Sequence, residues 1–281
     1  MKLGVGEWGF RNLGMEEHCK ITAGLGFHCM ELGVGGDFKG RLSADMSAPA
    51  IAMTKACLAD YRIKTPFMCV ENDFSRGSAR ELEQAVEQVK REALFAKEFG
   101  VTHLRLFAGF TPIADFTEET WRNMLKAFRE VNAFCEALGL QIAVETHGAL
   151  TPHGQGVVHT STASTDPRAL KRLLETLPRN IGINFDPGNL VPLRSGGPEA
   201  FVPLLQERIN YCHLKDWVQN EDGSWRAVGV GEGAIDWKQL LNLMDFDGVY
   251  LIEYEPTEDV EDGIRRSLAY LRQLFPDLQQ A

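Results

Sequence analysis

Residues 181–190 read IGINFDPGNL, an apolar run that stops abruptly at Asp186, Pro187 and Gly188. Proline presets φ at the second position of a turn, and glycine supplies the positive φ that a type II turn requires at the third. The pattern therefore predicts a strand over 181–186 that ends in a tight turn. Such a break would leave the Asp186 carboxylate standing at the rim of a sheet or barrel.

Short apolar runs of this kind alternate with amphipathic helical segments along the whole chain. The helical pattern is clearest over 78–99, where Ser78 and Glu81 predict a capping box and Gly100 stands where the helix would end. The predicted strands lie at 2–6, 28–32, 63–70, 101–107, 140–145, 181–186, 209–213 and 248–253.

This alternation predicts an α/β fold, a single (β/α)8 TIM barrel, which typically takes about 250 residues. No break in composition and no low-complexity linker divides the chain, so we expect one domain over residues 1–281. The alternative is a doubly wound open sheet, which would place a GxGxxG loop between its first strand and a helix. The glycine-rich stretch at 4–14 lacks that spacing.

The composition narrows the classes of partner. A net charge of −10 disfavours a partner that is bound by phosphate neutralisation, so we expect no nucleic acid. No apolar run is long enough to cross a bilayer and the N-terminus lacks a signal-peptide pattern, so we expect no membrane association. Of the 6 cysteines none forms a CxxC pair, which favours a reducing compartment, and we expect a cytoplasmic location.

Four consecutive predicted strands end in a side chain that can bind a metal: Glu145, Asp186, His213 and Glu253. Each has an ordinary structural explanation when it is taken singly. Together they would meet at the C-terminal face of the barrel, where active sites of this fold lie. Three carboxylates packed there would repel one another unless a cation lay among them. One nitrogen and three oxygens suit one divalent ion, and we expect Mn²⁺ first, with Mg²⁺, Co²⁺ or Zn²⁺ as alternatives.

The second half of the chain also resembles a known family. The strings that carry the resemblance are VETHG (144–148), NFDPGN (184–189), CHLKD (212–216), GVGEGAIDW (229–237) and LIEYEP (251–256). They resemble the xylose isomerase-like TIM barrel superfamily, and within it the sugar phosphate isomerase/epimerase group. That group includes ketose 3-epimerases, inosose dehydratase and a metal-dependent 3-dehydroshikimate dehydratase. The resemblance implies that the four residues above are the metal ligands and that Glu145 and Glu253 are also the catalytic acid/base pair.

The chemistry of such a site predicts a metal-dependent isomerase or epimerase acting on a small polyhydroxylated keto compound. A divalent ion would polarise the substrate carbonyl, while one carboxylate removes the adjacent proton and another returns it. The same ligands also permit a dehydratase, because loss of a β-hydroxyl can follow the same proton abstraction. An endonuclease IV-like nuclease and a non-catalytic binding barrel are less favoured alternatives. Whether the protein is a homo-oligomer stays open.

Four further residues are predicted to bind substrate: His147, Lys215, Asn189 and Arg105. Lys215 falls on the same side of its strand as His213, and it would bind a substrate oxygen or pair with Asp216. Asn189 stands where ketose epimerases of the group usually have histidine, a departure from the simple 3-epimerase pattern. Arg105 lies inside an apolar strand, so it needs either a substrate or a carboxylate partner.

Three other features lead to weaker predictions. Glu31 is interpreted as structural. The polar, glycine-rich stretch at 147–160 is long enough to be a flexible lid. The stretch at 194–197, Arg-Ser-Gly-Gly, precedes a proline and would suit a phosphate at a helix start.

Overall fold

The computed structural model describes residues 1–193 and 196–280. Eight parallel strands close into a barrel, because the first strand pairs with the eighth, Lys2 opposite Val249, as well as with the second. The barrel strands are Lys2–Val5, Cys29–Val34, Lys64–Val70, His103–Phe107, Gln141–Glu145, Gly182–Phe185, Ile209–Leu214 and Val249–Ile252. The predicted fold is confirmed, and the predicted strand bounds differ by only one or two residues, as boundaries ordinarily do.

A helix follows each barrel strand, which is the connection that parallel strands require. The α-helices are Met15–Gly24, Ala48–Asp60, Ala79–Ala96, Glu118–Ala137, Pro167–Thr176, Val202–Leu205, Trp237–Leu243 and Val260–Leu274. The Ser78–Glu81 capping box is present in full, and Gly100 adopts a positive φ of 72° where the third helical segment ends. The sixth helix is a single turn that continues a 3-10 helix over Pro198–Phe201.

Side chains that point into the barrel form two layers with different chemistry. The lower layer is a small apolar plug that is separate from the main core between strands and helices: Cys29, Phe67, Ala143, Tyr211 and Leu251. Two residues further along each of these strands the side chain points inward again. The positions reached in this way are Glu31, Cys69, Glu145, His213 and Glu253. The apolar plug thus closes the barrel from below and leaves a polar layer above it.

A second, four-stranded antiparallel sheet lies outside the barrel. It combines the hairpin Ala149–His153 and Gly156–Thr160 with the strands Asp216–Gln219 and Trp225–Val228, joined where Trp225 pairs with Val157. The stretch predicted as a lid loop is therefore mostly a β-hairpin. His159 of this hairpin is buried, with its ring centroid 4.7 Å from that of Trp217. It packs against the rest of the sheet and is not in the candidate metal site.

Two expectations from the sequence concern the cysteines and membrane-spanning segments. All 6 cysteines are free. Among the helices of residues 1–193 and 196–280, none combines the length and the apolar character needed to cross a membrane. The single-domain assignment to residues 1–281 stays a prediction.

Candidate metal centre

The four predicted ligands converge at the top of the barrel. One candidate donor atom from each of Glu145, Asp186, His213 and Glu253 lies within 4.8 Å of the others. All four side chains are buried. They come from strands five to eight, in the order in which these strands lie side by side, so the closed barrel brings together residues that are far apart in the sequence.

The Asp186 carboxylate is positioned by the end of its strand, although not by the turn that the sequence predicts. Gly188 does not adopt a positive φ, and the chain enters a 3-10 helix over Gly188–Leu193. Glycine is needed for a different reason, since a Cβ at this position would lie 2.4 Å from the backbone oxygen of Lys215. The Thr146 hydroxyl accepts from the Asp186 N–H at 2.8 Å and donates to the Asp186 carbonyl at 3.0 Å, which fixes the backbone here.

The His213 ring is oriented by carboxylates on both sides. Its Nδ1 faces the candidate ligands, 3.2 Å from Oε2 of Glu253, 3.4 Å from Oε1 of Glu145 and 3.9 Å from an oxygen of Asp186. Its Nε2 points the opposite way, 3.5 Å from Oε2 of Glu31. A carboxylate behind a metal-binding histidine typically holds one ring N–H and leaves the other nitrogen free to bind the ion.

Arg105 lies beside the cluster and contacts four carboxylates. Its Nη1 is 2.5 Å from Oε2 of Glu145 and 3.6 Å from Oε1 of Glu253. Its Nε is 3.0 Å from Glu31 and its Nη2 is 3.4 Å from Glu7. Of the two partners that the sequence suggested for this arginine, the carboxylates are therefore present, while its predicted contact with substrate stays a prediction.

Lys215 brings a second positive charge to the site. Its Nζ lies 2.8 Å from Glu253, 2.9 Å from Asp186 and 2.9 Å from Glu255. The alternative partner suggested by the sequence, Asp216, points to the other side of the strand. Asp216 accepts from the indole N–H of Trp237 at 2.8 Å and from backbone N–H groups of the 229–237 loop. That loop therefore folds around a buried carboxylate that is not part of the metal site.

Asn189 and His147, also predicted to bind substrate, have different surroundings. Asn189 is fully buried, and its side-chain N–H donates to Oδ2 of Asp186 at 3.0 Å and to the carbonyl of Thr146 at 3.1 Å. The same group also lies 3.5 Å from Oε1 of Glu145, so Asn189 contacts two candidate ligands and the backbone. His147 is half-buried, and its Nδ1 lies 2.6 Å from the carbonyl of Gly148, which favours the tautomer with the proton on Nδ1. Substrate binding by both residues stays a prediction.

A cavity of about 170 Å³ opens above the cluster. Arg105, His147, Lys215 and Glu253 lie in its wall. The remaining lining residues are the apolar Trp8, Cys69, Phe107, Phe110 and Leu150 and the acidic Glu71 and Glu255. A concave site with an apolar wall and a few convergent polar groups is typical of a small-molecule site.

Burial and close charges set the ionisation of the cluster. Burial raises the pKa of the Glu145 carboxyl, but the Arg105 guanidinium outweighs it and holds that pKa well below its usual range. For Glu253, His213 and Lys215 outweigh burial in the same way and hold the pKa well below its usual range. Burial raises the pKa of Asp186 to about 7, despite the opposing charge of Lys215. Glu145 and Glu253 are therefore anionic at neutral pH and able to bind a cation.

The donor set fits a divalent ion on its own chemistry. It offers three carboxylates and one imidazole, and the candidate donor atoms are close enough to share one ion. Within the described part of the chain, neither nitrogen of His213 makes a hydrogen bond of good geometry, although both are buried. A buried polar atom without a hydrogen-bond partner costs free energy, so such an atom suggests a missing partner.

Several residues of the site were not predicted as functional from the sequence: Glu7, Glu31, Arg41, Glu71, Tyr211 and Glu255. Glu31 accepts from the Tyr211 hydroxyl at 3.2 Å. Arg41 joins Glu7 and Glu71 at 3.5 and 2.6 Å. Glu255 could have been found from the sequence. In a strand every second side chain points to the same side, which places Lys215 beside His213 and equally places Glu255 beside Glu253.

Comparison with known proteins agrees with this architecture. The model of the xylose isomerase-like TIM barrel family matches residues 19–274. The chain belongs to this family. No curated protein matches the sequence at a significant level. The resemblance that the second-half strings predict is thereby confirmed at the level of the family.

Solved structures similar to this xylose isomerase-like barrel include two that differ in the activity their names suggest. One is a D-tagatose 3-epimerase-like protein, with 21% identity, 98% of each chain covered and a TM-score of 0.74. Another is the probable 3-DHS dehydratase AsbF involved in petrobactin synthesis from Bacillus anthracis, with 17% identity, 96% of this chain and 98% of that chain covered and a TM-score of 0.74. A third is the IOLI protein with a bound zinc atom, with 16% identity, 98% of each chain covered and a TM-score of 0.74. At these identities the likeness establishes the shared fold.

Proposed function

We propose that this protein is a divalent-metal-dependent isomerase or epimerase that acts on a small polyhydroxylated keto compound by moving a proton next to the carbonyl. The observation that carries the proposal is the buried convergence of Glu145, Asp186, His213 and Glu253 at the active face of the barrel. The zinc in the similar IOLI protein supports a divalent ion, and Mn²⁺ is our first choice among such ions for this donor set.

The four residues would hold the ion through their clustered donor atoms. When bound there, a divalent ion supplies polarisation of the substrate carbonyl and stabilises the negative charge that develops on its oxygen. Glu31, 3.5 Å from Nε2 of His213, would keep the ring turned with Nδ1 toward the cluster. Asn189 and Thr146 hold Asp186, so that its carboxylate faces the same point.

Glu145 and Glu253 are suited to be the acid/base pair. They lie on the fifth and eighth strands, with two strands between them, so they enter the mouth of the barrel from different sides. Each turns one oxygen toward His213 Nδ1 and the other toward Arg105. Removal of a proton by one carboxylate and its return by the other on the opposite face would invert a carbon centre, which is epimerisation. Return of the proton to the neighbouring carbon would be isomerisation.

A dehydratase is the second candidate, and the position of His147 favours it. With its Nδ1 proton held by the carbonyl of Gly148, the imidazole lies in the cavity wall, where a protonated Nε2 would give a proton to a departing hydroxyl. The name of the similar Bacillus anthracis protein suggests dehydration as well, but only the fold is shared at that identity.

The remaining predictions about function belong to the same proposal. The protein would act on a small molecule in the cytoplasm, without nucleic acid or membrane as partner, and its oligomeric state stays open. Endonuclease IV-like activity and metal binding without catalysis are the alternatives that the following experiment separates.

The decisive experiment pairs metal analysis with solvent deuterium exchange. Purified protein loaded with Mn²⁺ is expected to hold the ion stoichiometrically and to exchange the proton next to the carbonyl of a ketose, an inosose or dehydroshikimate. Mass spectrometry then separates a product with unchanged composition from one that has lost water. Glu253→Gln should abolish exchange, whereas Glu83→Gln, which removes an exposed carboxylate on the third helix, should retain it. Absence of a bound divalent ion after loading would refute the proposal.

A further inference from the structure

The cavity above the cluster carries two carboxylates that the proposed chemistry does not use. Glu71 follows the third barrel strand and its side chain is 37% exposed, and Glu255 follows the eighth and is 15% exposed. Each has one oxygen on a buried cation: Glu71 on Nη1 of Arg41 at 2.6 Å, and Glu255 on Nζ of Lys215 at 2.9 Å. These contacts hold both carboxylates at the cavity wall.

The buried cations near the cavity are already paired with carboxylates, and the partly exposed Arg11 donates to the backbone carbonyls of Trp8 and Glu255. The side chain of Arg41 is 0% exposed, that of Lys215 is 2% and that of Arg105 is 4%. Each contacts at least two carboxylates, as described above. A phosphate or carboxylate on a substrate would have to take these cations from their partners and leave a buried carboxylate without one, which is costly.

The charges at the cavity wall support the same conclusion. Glu71 and Glu255 each lie on a cation that also contacts a buried carboxylate: Arg41 contacts Glu7 as well as Glu71, and Lys215 contacts Glu253 and Asp186 as well as Glu255. Like charges at short range in a partly buried site repel strongly, because little water screens them.

We infer that the site selects an uncharged polyol-type keto compound and rejects phosphorylated and carboxylated ones. This inference rests on the proposed function, which it deepens by naming the substrate class. Glu71 and Glu255 accept hydrogen bonds from substrate hydroxyls, while Trp8, Phe107 and Phe110 contact its carbon skeleton. Anionic substrates are discriminated against by repulsion from the same two carboxylates, a common source of specificity.

The test compares neutral compounds with their anionic counterparts. Protein loaded with Mn²⁺ is titrated by calorimetry with neutral ketoses and inososes, with the phosphate esters of the same compounds, and with dehydroshikimate. Turnover and solvent deuterium exchange are measured on the same panel. The variants are Glu71→Gln and Glu255→Gln. Glu83→Gln changes the net charge equally but lies on the outer face of a helix, so it is the matched control.

We expect the wild type to bind at least one neutral compound more tightly than its phosphate ester. Each cavity variant should bind the neutral compound more weakly, because a carboxylate that accepts hydrogen bonds is lost. Each should also reduce the ratio between the affinities for the neutral compound and for its phosphate ester by at least about tenfold, because one repulsive charge is removed. The control variant should leave both unchanged. Neutral binding with this dependence but without exchange or turnover would support the inference while refuting the proposed function.

Two results would overturn the inference. One is tighter binding or higher kcat/KM for an anionic compound than for its neutral counterpart, together with proton exchange, which would leave the proposed function intact. That result would favour the phosphate role predicted for 194–197, where Arg194 and Ser195 lie outside the described residues. The other is no binding of any neutral compound by metal-loaded protein.

Discussion

Oε2 of Glu31 lies 3.5 Å from Nε2 of His213, on the side of the ring away from the three candidate carboxylate ligands. Both side chains are fully buried. Glu31 is itself held by the Tyr211 hydroxyl at 3.2 Å and by Nε of Arg105 at 3.0 Å. A residue that the sequence suggested to be structural is therefore placed to orient a candidate metal ligand, and we propose that it does so when the ion is bound.

Replacement of Glu31 should weaken metal binding without removing a ligand. We expect Glu31→Gln to lower the affinity for Mn²⁺ by roughly 10- to 100-fold, the usual effect of losing such a partner. Calorimetric titration of metal-free protein at neutral pH measures the change directly. Tyr211→Phe removes only the hydroxyl contact to Glu31 and should have a smaller effect. An unchanged affinity in Glu31→Gln would mean that this contact does not orient the histidine for metal binding.

Metal loading should also stabilise the fold, because the ion offsets the repulsion among buried carboxylates. An ion that binds only the folded state adds about 2.7 kcal/mol at a concentration 100 times its Kd. Thermal unfolding with Mn²⁺ and with a chelator is expected to show this difference in wild type. Asp186→Ala should lose most of it, and Glu83→Gln should keep it. An equal shift in Asp186→Ala would argue that the ion acts at another place.

The sequence predicts the barrel and its four candidate ligands because both depend on local patterns. An apolar run reveals a strand, and in a parallel barrel the residue at its end has a known place at the C-terminal face. Applying the period of two to every strand would also have placed Glu31 inside the barrel and Glu71 and Glu255 at its mouth. The sequence could therefore reveal more of the site than strand ends alone suggest.

Other features depend on contacts between distant segments, and the sequence pattern carries little trace of them. Pro152 and the glycines of 147–160 favour a loop, yet pairing with Trp225 makes this stretch part of a sheet. Gly188 looks like a turn residue, whereas close approach to the Lys215 backbone explains it. Arg41 lies in a loop after the second barrel strand, and only the folded barrel brings it to Glu71 after the third strand. These are tertiary constraints, which override local preference.

Two glycines should respond in opposite ways to alanine. A Cβ at Gly33 would lie 2.4 Å from Nε of Arg41 and 2.6 Å from Oε2 of Glu7, and these two buried side chains contact each other through Nη2 and Oε1 at 3.5 Å. Gly33→Ala should therefore cost about 1–3 kcal/mol of stability, the usual range for overpacking. A Cβ at Gly24, at the end of the first helix, meets nothing within 4 Å, so Gly24→Ala should add about 0.5–1 kcal/mol. Urea unfolding of both variants tests the contrast, and equal effects would contradict it.

Acid sensitivity of the fold should come in part from His18, which lies far along the chain from the candidate ligands. Its ring stacks on Phe10 with centroids 3.8 Å apart, and within the described residues its Nε2 has no hydrogen-bond partner. Burial lowers the pKa of His18 from 6.5 to about 3, so the unfolded chain binds a proton between these pH values and the folded chain does not. Stability is therefore full above about pH 6.5 and falls as the pH decreases toward 3.

Between pH 7 and pH 5 this one histidine should account for a loss of about 2 kcal/mol in the free energy of unfolding. His18→Phe keeps the ring contact with Phe10 but cannot bind a proton, so its stability should fall less over the same interval. Urea unfolding at both pH values gives the comparison, which depends on the pH difference and not on the absolute stability of the variant. His153→Gln, at an exposed position of the outer hairpin, is the control and should follow the wild type. A slope in His18→Phe equal to that of the wild type would show that His18 takes up its proton without unfolding the protein.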